Sequence, residues 1–342
     1  MNEIILGTGI CARAVMDSFH KTDIDVFQPM QTQLKTELNY HGINFVLSDI
    51  NTGGLSNRYH GIIPGKTINN AAHKEYLKTL KLRHLSQISD ETYYVPWQVP
   101  RPNLKRAANI NLVNLDHSRK IYLCLSVLGN LSFLQNNGLL KNKVTMSDDL
   151  IIKFAEFKNL PRKYLPKFFY GGAVFPVIKT ENGIISFRPE YSEDNSIDFT
   201  KNVYKQLLLN NPWQMLSKVQ QATYLKFGLL SPFKKPLRWA ATLQLNIPNF
   251  YTLLEGKVTI NDEIFKIAEK NTSHAYALLK QRIPETVFCD TEYFNGIHLG
   301  YDRAILANIP GNIRVYDMSL NQYKGEHPTV QVYCNIRKML DE

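Results

Sequence analysis

Ile4-Ile5-Leu6 runs directly into Gly7-Thr8-Gly9-Ile10-Cys11-Ala12, and no other stretch of the chain restricts its fold so tightly. A short apolar run, two glycines one residue apart and then helix-forming sequence make a strand–turn–helix pattern. Gly7 permits the tight turn, Gly9 lets backbone approach an anionic group, and Ala12 allows close helix–strand packing. A helix over 10–20 and a second strand over 25–27, stopped by Pro29, complete a β-turn-α-β unit. The free N–H groups at the helix start suit a pyrophosphate, so the pattern predicts dinucleotide binding. A tight turn in an unrelated α/β domain is the alternative. Where such a unit ordinarily ends its second strand in an acid for the ribose, this chain has Gln28. An amide can still hydrogen-bond a hydroxyl, and the change disfavours NAD more than FAD, which gains affinity from a larger buried surface.

Further along, residues 110–113 and 120–125 read as strands, and a helix begins at 130–135 and closes at Gly138. Glu181-Asn182-Gly183 between two apolar runs, 170–179 and 183–188, is a hairpin signal, because Asn-Gly fits the turn that strand twist demands. Residues 203–209, 216–226 and 263–280 have helical spacing; 237–245, 251–260 and 286–289 are strand-like. The centre therefore reads as a mixed or antiparallel sheet with helices, and the two ends as a βαβ domain. Prolines 96, 100 and 102 mark 97–101 as extended or linking.

A chain of 342 residues with 44% hydrophobic and 11% aromatic residues has material for a large core and is too apolar to be disordered. Forty basic against thirty acidic residues give a net charge of +10. The excess is dispersed, so a solvated surface is expected and nucleic acid is not. Cysteines 11, 124, 289 and 334 have no metal-ligand or disulfide spacing, and no targeting segment precedes the first strand. No run approaches the roughly eighteen apolar residues of a membrane span. These features together predict a cytoplasmic protein without a metal site. Residues 213–235 could form an apolar patch rimmed by Lys234 and Lys235 for peripheral membrane contact, set against ordinary helix packing with solvated lysines.

Four segments in order resemble the glucose-methanol-choline (GMC) family of flavoprotein oxidoreductases, most like its pyranose-oxidase-type branch. The loop at 6–12 resembles the FAD pyrophosphate loop. Gly53-Gly54-Leu55-Ser56-Asn57-Arg58-Tyr59 resembles the Gly-Gly-x-Ser-x-x-Trp segment beside the flavin, and residues 121–138 resemble the strand and helix that close the FAD domain. Asn312-Ile313-Arg314-Val315-Tyr316-Asp317 and the later His327-Pro328-Thr329 resemble the C-terminal signature. The resemblance implies an α/β fold: a Rossmann-like FAD-binding domain assembled from both chain ends, with an inserted α+β substrate domain on a mixed or antiparallel sheet. Its expected parts are 1–66, 105–155 and 288–342 for FAD, 67–104 as a connecting segment, and 156–287 for substrate.

By motif, His298 and His327 match the family's catalytic pair. One imidazole would take the hydroxyl proton and the other would orient and stabilise the developing alkoxide while hydride passes to flavin N5; the division of roles stays open. The cofactor residues implied are Gly7, Gly9, Ile10, Cys11, Ala12, Gln28, Gly53, Gly54, Ser56, Asn57, Asp317, Pro328 and Thr329. Arg58 stands where some relatives attach flavin covalently, so FAD is expected to be non-covalent. Leu125 replaces a small residue beside the nucleotide, Tyr59 replaces Trp, and Tyr301-Asp302-Arg303 replaces an Arg-x-Gly. The expected substrate is an alcohol group of a sugar or polyol, free or carrier-linked, with oxygen or another electron acceptor reoxidising the flavin. Two other readings stand beside it: a flavin-dependent isomerase or reductase, and a non-catalytic flavoprotein-like scaffold in a complex. Centrally, Arg188, Gln244, Trp213 and Trp239 could line a pocket, the tryptophans fitting a core role better. Asp148-Asp149 reads as a capping pair, since adjacent side chains point apart.

Overall fold

The computed structural model describes residues 3–19, 24–29, 35–40, 43–48, 92–96, 108–110, 119–165, 167–169, 172–190, 238–295, 299–320 and 328–341. Its strands are, in chain order, β1 (Ile4–Leu6), β2 (Asp25–Pro29), β3 (Lys35–Tyr40), β4 (Ile43–Ser48), β5 (Thr92–Pro96), β6 (Ala108–Ile110), β7 (Ile121–Leu123) and β8 (Val144–Phe157). They continue as β9 (Lys167–Phe169), β10 (Gly172–Lys179), β11 (Gly183–Glu190), β12 (Arg238–Leu254), β13 (Lys257–Ile260), β14 (Val287–Asn295), β15 (Gly300–Tyr301) and β16 (Ile313–Val315). The helices are α1 (Ile10–Ser18), α2 (Ser126–Asn136), α3 (Glu263–Arg282) and α4 (Pro328–Asp341).

Strands from both chain ends build one sheet in the order β16-β7-β1-β2-β6, and its described pairings are parallel. β1 and β7 are buried on both faces, which is why β1 reads as a continuous apolar run. Ile4 and Leu6 join Ile121 and Leu123 in one core with α2 and the apolar side of the second sheet. Ile5 and Tyr122 face the other way, against α1 and the Val332 and Ile336 side chains of α4. Tyr333 of α4 donates to Asp17 of α1 at 2.6 Å, tying the chain ends together.

A second, nine-stranded sheet follows the path β14-β8-β12-β11-β10-β5, and its described pairings are antiparallel. The molecule is thus a mixed α/β fold with a parallel sheet drawn from both ends and a separate antiparallel sheet. The 181–183 hairpin forms as expected: β10 and β11 pair across it, and Thr180 N–H donates to Gly183 O at 2.9 Å.

Local differences from the sequence reading have physical causes. Residues 237–245 and 251–260 are not two separate strands. The first run and the start of the second form the single β12, while β13 returns after Glu255 (φ 49°) and Gly256 (φ 74°), two left-handed residues that close the hairpin. The α2 helix starts at Ser126, four residues before Asn130, because the intervening Val127 and Leu128 bury in the core. Asp148-Asp149 caps nothing: both carboxylates are buried inside β8, a central strand whose alternation is hidden by burial on both faces. Among the described residues, no helix is long and apolar enough to cross a membrane.

Candidate functional site

Four strands of the parallel sheet, β16, β7, β1 and β2, end level with one another. Gly7 N–H donates to Phe27 O at 2.8 Å, Cys124 N–H to Leu6 O at 2.7 Å, and Tyr316 N–H to Leu123 O at 2.8 Å. From this edge β1 sends α1 to one face of the sheet, and its neighbour β7 sends α2 to the other. This is the switch point of the topology, the place where open α/β sheets bind ligands.

Each glycine of the opening loop has its own reason to be there. Gly7 has φ +113°, and a Cβ on it would lie 2.2 Å from the Cys124 carbonyl oxygen. The β1 and β7 loops touch backbone to backbone, and only glycine permits that. Gly9 is different: it is extended at φ −77°, and a Cβ there would meet nothing within 4 Å. Gly9 is the N-cap of α1, no side chain caps the helix, and no acid sits in its first turn. The positive end of the helix dipole therefore opens beside uncrowded backbone, which fits an anionic group. Behind it, Cys11 and Ala12 are buried against the sheet.

Asp317 follows β16 on the same edge and is fully buried. Its Oδ2 accepts from Asn130 Nδ2 at 2.9 Å and Tyr301 OH at 3.1 Å; its Oδ1 accepts from Ser319 N–H at 3.0 Å. The Ser319 hydroxyl also donates to Oδ1, and Arg303 lies 3.5 Å away. Arg303 donates in turn to Val315 O at 2.6 Å and Ser319 Oγ at 2.9 Å. The carboxylate, which has about four acceptor positions, is thus satisfied by protein donors. Asn130 is the other half of this knot: its Oδ1 accepts Leu125 N–H at 2.9 Å, and its amide donates also to Tyr316 O at 3.2 Å. It fastens the β7 loop to the β16 loop, next to Ser126, which takes a left-handed φ of 70°.

Burial, and then the charge of Asp317, hold the Tyr301 phenol protonated well above its ordinary range, as a hydrogen-bond donor to that carboxylate. Burial likewise pushes the thiols of Cys11 and Cys124 upward, with Asp317 adding to both. Cys289 and Cys334 are part-exposed. A thiol reagent at pH 8 is therefore expected to modify Cys289 and Cys334 in the folded protein, and Cys11 and Cys124 only after unfolding; mass mapping of labelled peptides checks this. The same shifts set a sign for pH. A thiol in the unfolded chain ionises near its ordinary value of 9.0, while the folded thiols keep their protons. Their relative stabilisation is complete below about pH 9 and is lost as pH rises from there; denaturant midpoints across that interval measure it.

Among the sequence-predicted residues, Gly7, Gly9, Ile10, Cys11, Ala12 and Asp317 come together at this edge. Gln28 is placed at the end of β2, opposite Asn109. Pro328 and Thr329 open α4, the proline at a first-turn position that needs no N–H. Gly53, Gly54, Ser56, Asn57, His298 and His327 lie outside the described residues, as do Trp213 and the 213–235 patch. Leu125 packs into the large core on the α2 side, and Trp239 is a core residue. Asn130 was not anticipated as part of the site. Its signal was an amide inside a helix whose neighbours from Val127 to Leu134 are all buried. No protein-family model, no curated protein and no solved structure matches this chain.

Proposed function

We propose that the protein is an FAD-dependent oxidoreductase of GMC-like type acting on an alcohol group. The observation that carries this reading is the uncapped start of α1 at the switch point, with Gly7 locked by Cys124 and open space beside Gly9. In this reading the backbone N–H groups of Ile10, Cys11 and Ala12 hold the pyrophosphate. Gln28, at the end of β2, hydrogen-bonds a ribose hydroxyl. FAD when bound supplies a hydride acceptor. His298 and His327 remove the substrate's hydroxyl proton and stabilise the alkoxide oxygen. Asp317 has its acceptor positions filled by Asn130, Tyr301 and Ser319, so its part is to hold the loop that carries the backbone contacts. Pro328 and Thr329 supply the start of α4 on the same side of the sheet as α1.

The scaffold reading draws on one observation, the same saturation of Asp317, which leaves that carboxylate no acceptor position for a ligand hydroxyl. Titration of the purified protein with FAD, followed by flavin absorbance and fluorescence quenching, decides between the two. Saturable uptake of FAD, lost on Gly9→Ala, is the expected result; a folded protein that takes up none overturns the oxidoreductase. In the FAD-loaded protein, His298→Ala and His327→Ala are expected to retain flavin and lose its anaerobic bleaching by alcohol substrates.

A further inference from the structure

Val287 leaves 64% of its surface in solvent and its neighbour Phe288 49%, and among the described residues no other adjacent pair of large apolar residues is so exposed. They open β14, which ends the path of described strands beside β8. Val287 pairs with Glu156 and Phe288 with Ala155. Successive residues of a strand project to opposite faces, so the two side chains stand on either side of the sheet where β14 starts. Phe288 is held there, its ring meeting Tyr276 of α3 edge-on at 5.0 Å. Lys280, in the last turn of α3, donates to Thr286 O at 2.9 Å, which fixes the helix end beside Val287.

Cations gather at the same end of the sheet. The α3 helix finishes there with Lys280 and Arg282, both exposed. β8 finishes at Phe157, paired with Trp239 of β12, and the chain runs on through Lys158, Arg162 and Lys163, all exposed. That turn is kept close to the strand ends, because Tyr164 packs on Phe187 at 4.9 Å and Phe187 on Phe157 at 6.0 Å. Among the described residues, the acids at this end are Glu156, Glu190 and Glu285. Glu156 is already held by Lys153 at 2.7 Å and Arg238 at 3.2 Å, and Glu190 ends β11 in register with Arg238. An apolar strand tip is thus flanked by exposed cations from two separate segments, in a chain whose net charge is +10.

From this we infer that this end of the antiparallel sheet docks on an anionic lipid bilayer. Val287 and Phe288 enter the headgroup boundary, and the lysines and arginines around them meet acidic headgroups. Peripheral binding of this kind draws on buried apolar area together with attraction to anionic lipid, and this end of the sheet offers both. Long basic side chains can lay their apolar stems along the boundary while their charges stay in the wet layer. The geometry favours a bilayer over other acidic partners. The two apolar side chains stand on opposite sides of one strand, so a flat protein surface covers only one of them, whereas a fluid boundary closes around both. Nucleic acid takes its affinity from its phosphates and gives Val287 no reason to be apolar. The contact is peripheral, and it does not depend on the oxidoreductase reading.

Vesicle flotation of the full chain tests it, with phosphatidylcholine alone, with phosphatidylcholine containing phosphatidylserine, and with a DNA duplex as a soluble polyanion measured alongside. Binding to the serine-containing vesicles is expected to be about tenfold tighter than to phosphatidylcholine and to weaken as salt is raised. Val287→Ser changes a side chain that stands in solvent, so it is expected to keep the fold, as read by circular dichroism, and to weaken vesicle binding about tenfold. Lys158→Gln and Arg282→Gln are each expected to weaken it about fivefold. No vesicle binding, equal binding to the two vesicles, or full binding by folded Val287→Ser overturns the inference. So does a preference for DNA over vesicles that Val287→Ser leaves unchanged. Flavin uptake and flotation are separate readouts, so failure of one leaves the other proposal standing.

Discussion

Gly7→Ala is expected to destabilise the protein by about 3–5 kcal/mol, enough to unfold a domain of ordinary stability. The added methyl would sit 2.2 Å from the Cys124 carbonyl oxygen and 2.7 Å from its carbon, at a φ of +113° that L-residues rarely adopt. Neither obstacle is a flexible side chain, so no rotamer change relieves it. Relief requires the β1 and β7 loops to part, which breaks the Cys124 N–H to Leu6 O bond at the sheet edge. Gly9→Ala is the control two residues away. Its methyl meets nothing within 4 Å, so the denaturation midpoint stays within about 0.5 kcal/mol of the parent's while FAD uptake falls. Urea titrations of both variants check the contrast; equal destabilisation would sink the assignment of separate roles.

Asp317→Ala is expected to lower stability by about 3–5 kcal/mol, because it strands buried donors and a charge at once. Asn130, Tyr301 and Ser319 lose their acceptor, and Arg303 loses its counter-ion. Asn130→Asp attacks the same knot from the other side and adds a pH signature. It places a second carboxylate against Asp317, where the native amide nitrogen donates at 2.9 Å. Like charges at that distance raise the pair's affinity for a proton above that of the unfolded carboxyls. A group whose pKa rises on folding stabilises fully below its unfolded value, about 4 for a carboxyl, and the effect is lost as pH rises through the folded value. The variant is therefore expected to be more stable near pH 4 than near pH 7, relative to the parent at each pH. A variant whose deficit does not change with pH would show that Asn130 and Asp317 are not in contact.

The opening loop was legible because its meaning is local. Gly7, Gly9 and Ala12 act through their own backbone and their immediate helix, so their spacing carries the turn, the close approach and the packing. Asn182-Gly183 was legible for the same reason, being a hairpin that five residues specify. By contrast β8 was missed. Its residues 150–155 are buried on both faces, which erases the period-two alternation that marks a half-buried strand. Asp148 and Asp149 inside it looked like caps because sequence shows no partners, and theirs lie about a hundred residues away on β12: Tyr251 for the first, Gln244 and Asn246 for the second. Asn130 suffered likewise, since its two acceptors at Tyr316 and Asp317 come from the far end of the chain.

By itself, then, the sequence determined the strand–loop–helix that begins the parallel sheet and the hairpin at 181–183. Those features depend on φ, ψ and near neighbours, which a short window contains. Only the tertiary structure decided that β16 completes the sheet beside β7, that Gly7 is fixed by Cys124 more than by its own turn, and that Asp317 is held by protein donors. These are long-range pairings, set by which apolar surfaces and unsatisfied polar groups meet once the chain has folded, and no local pattern records them.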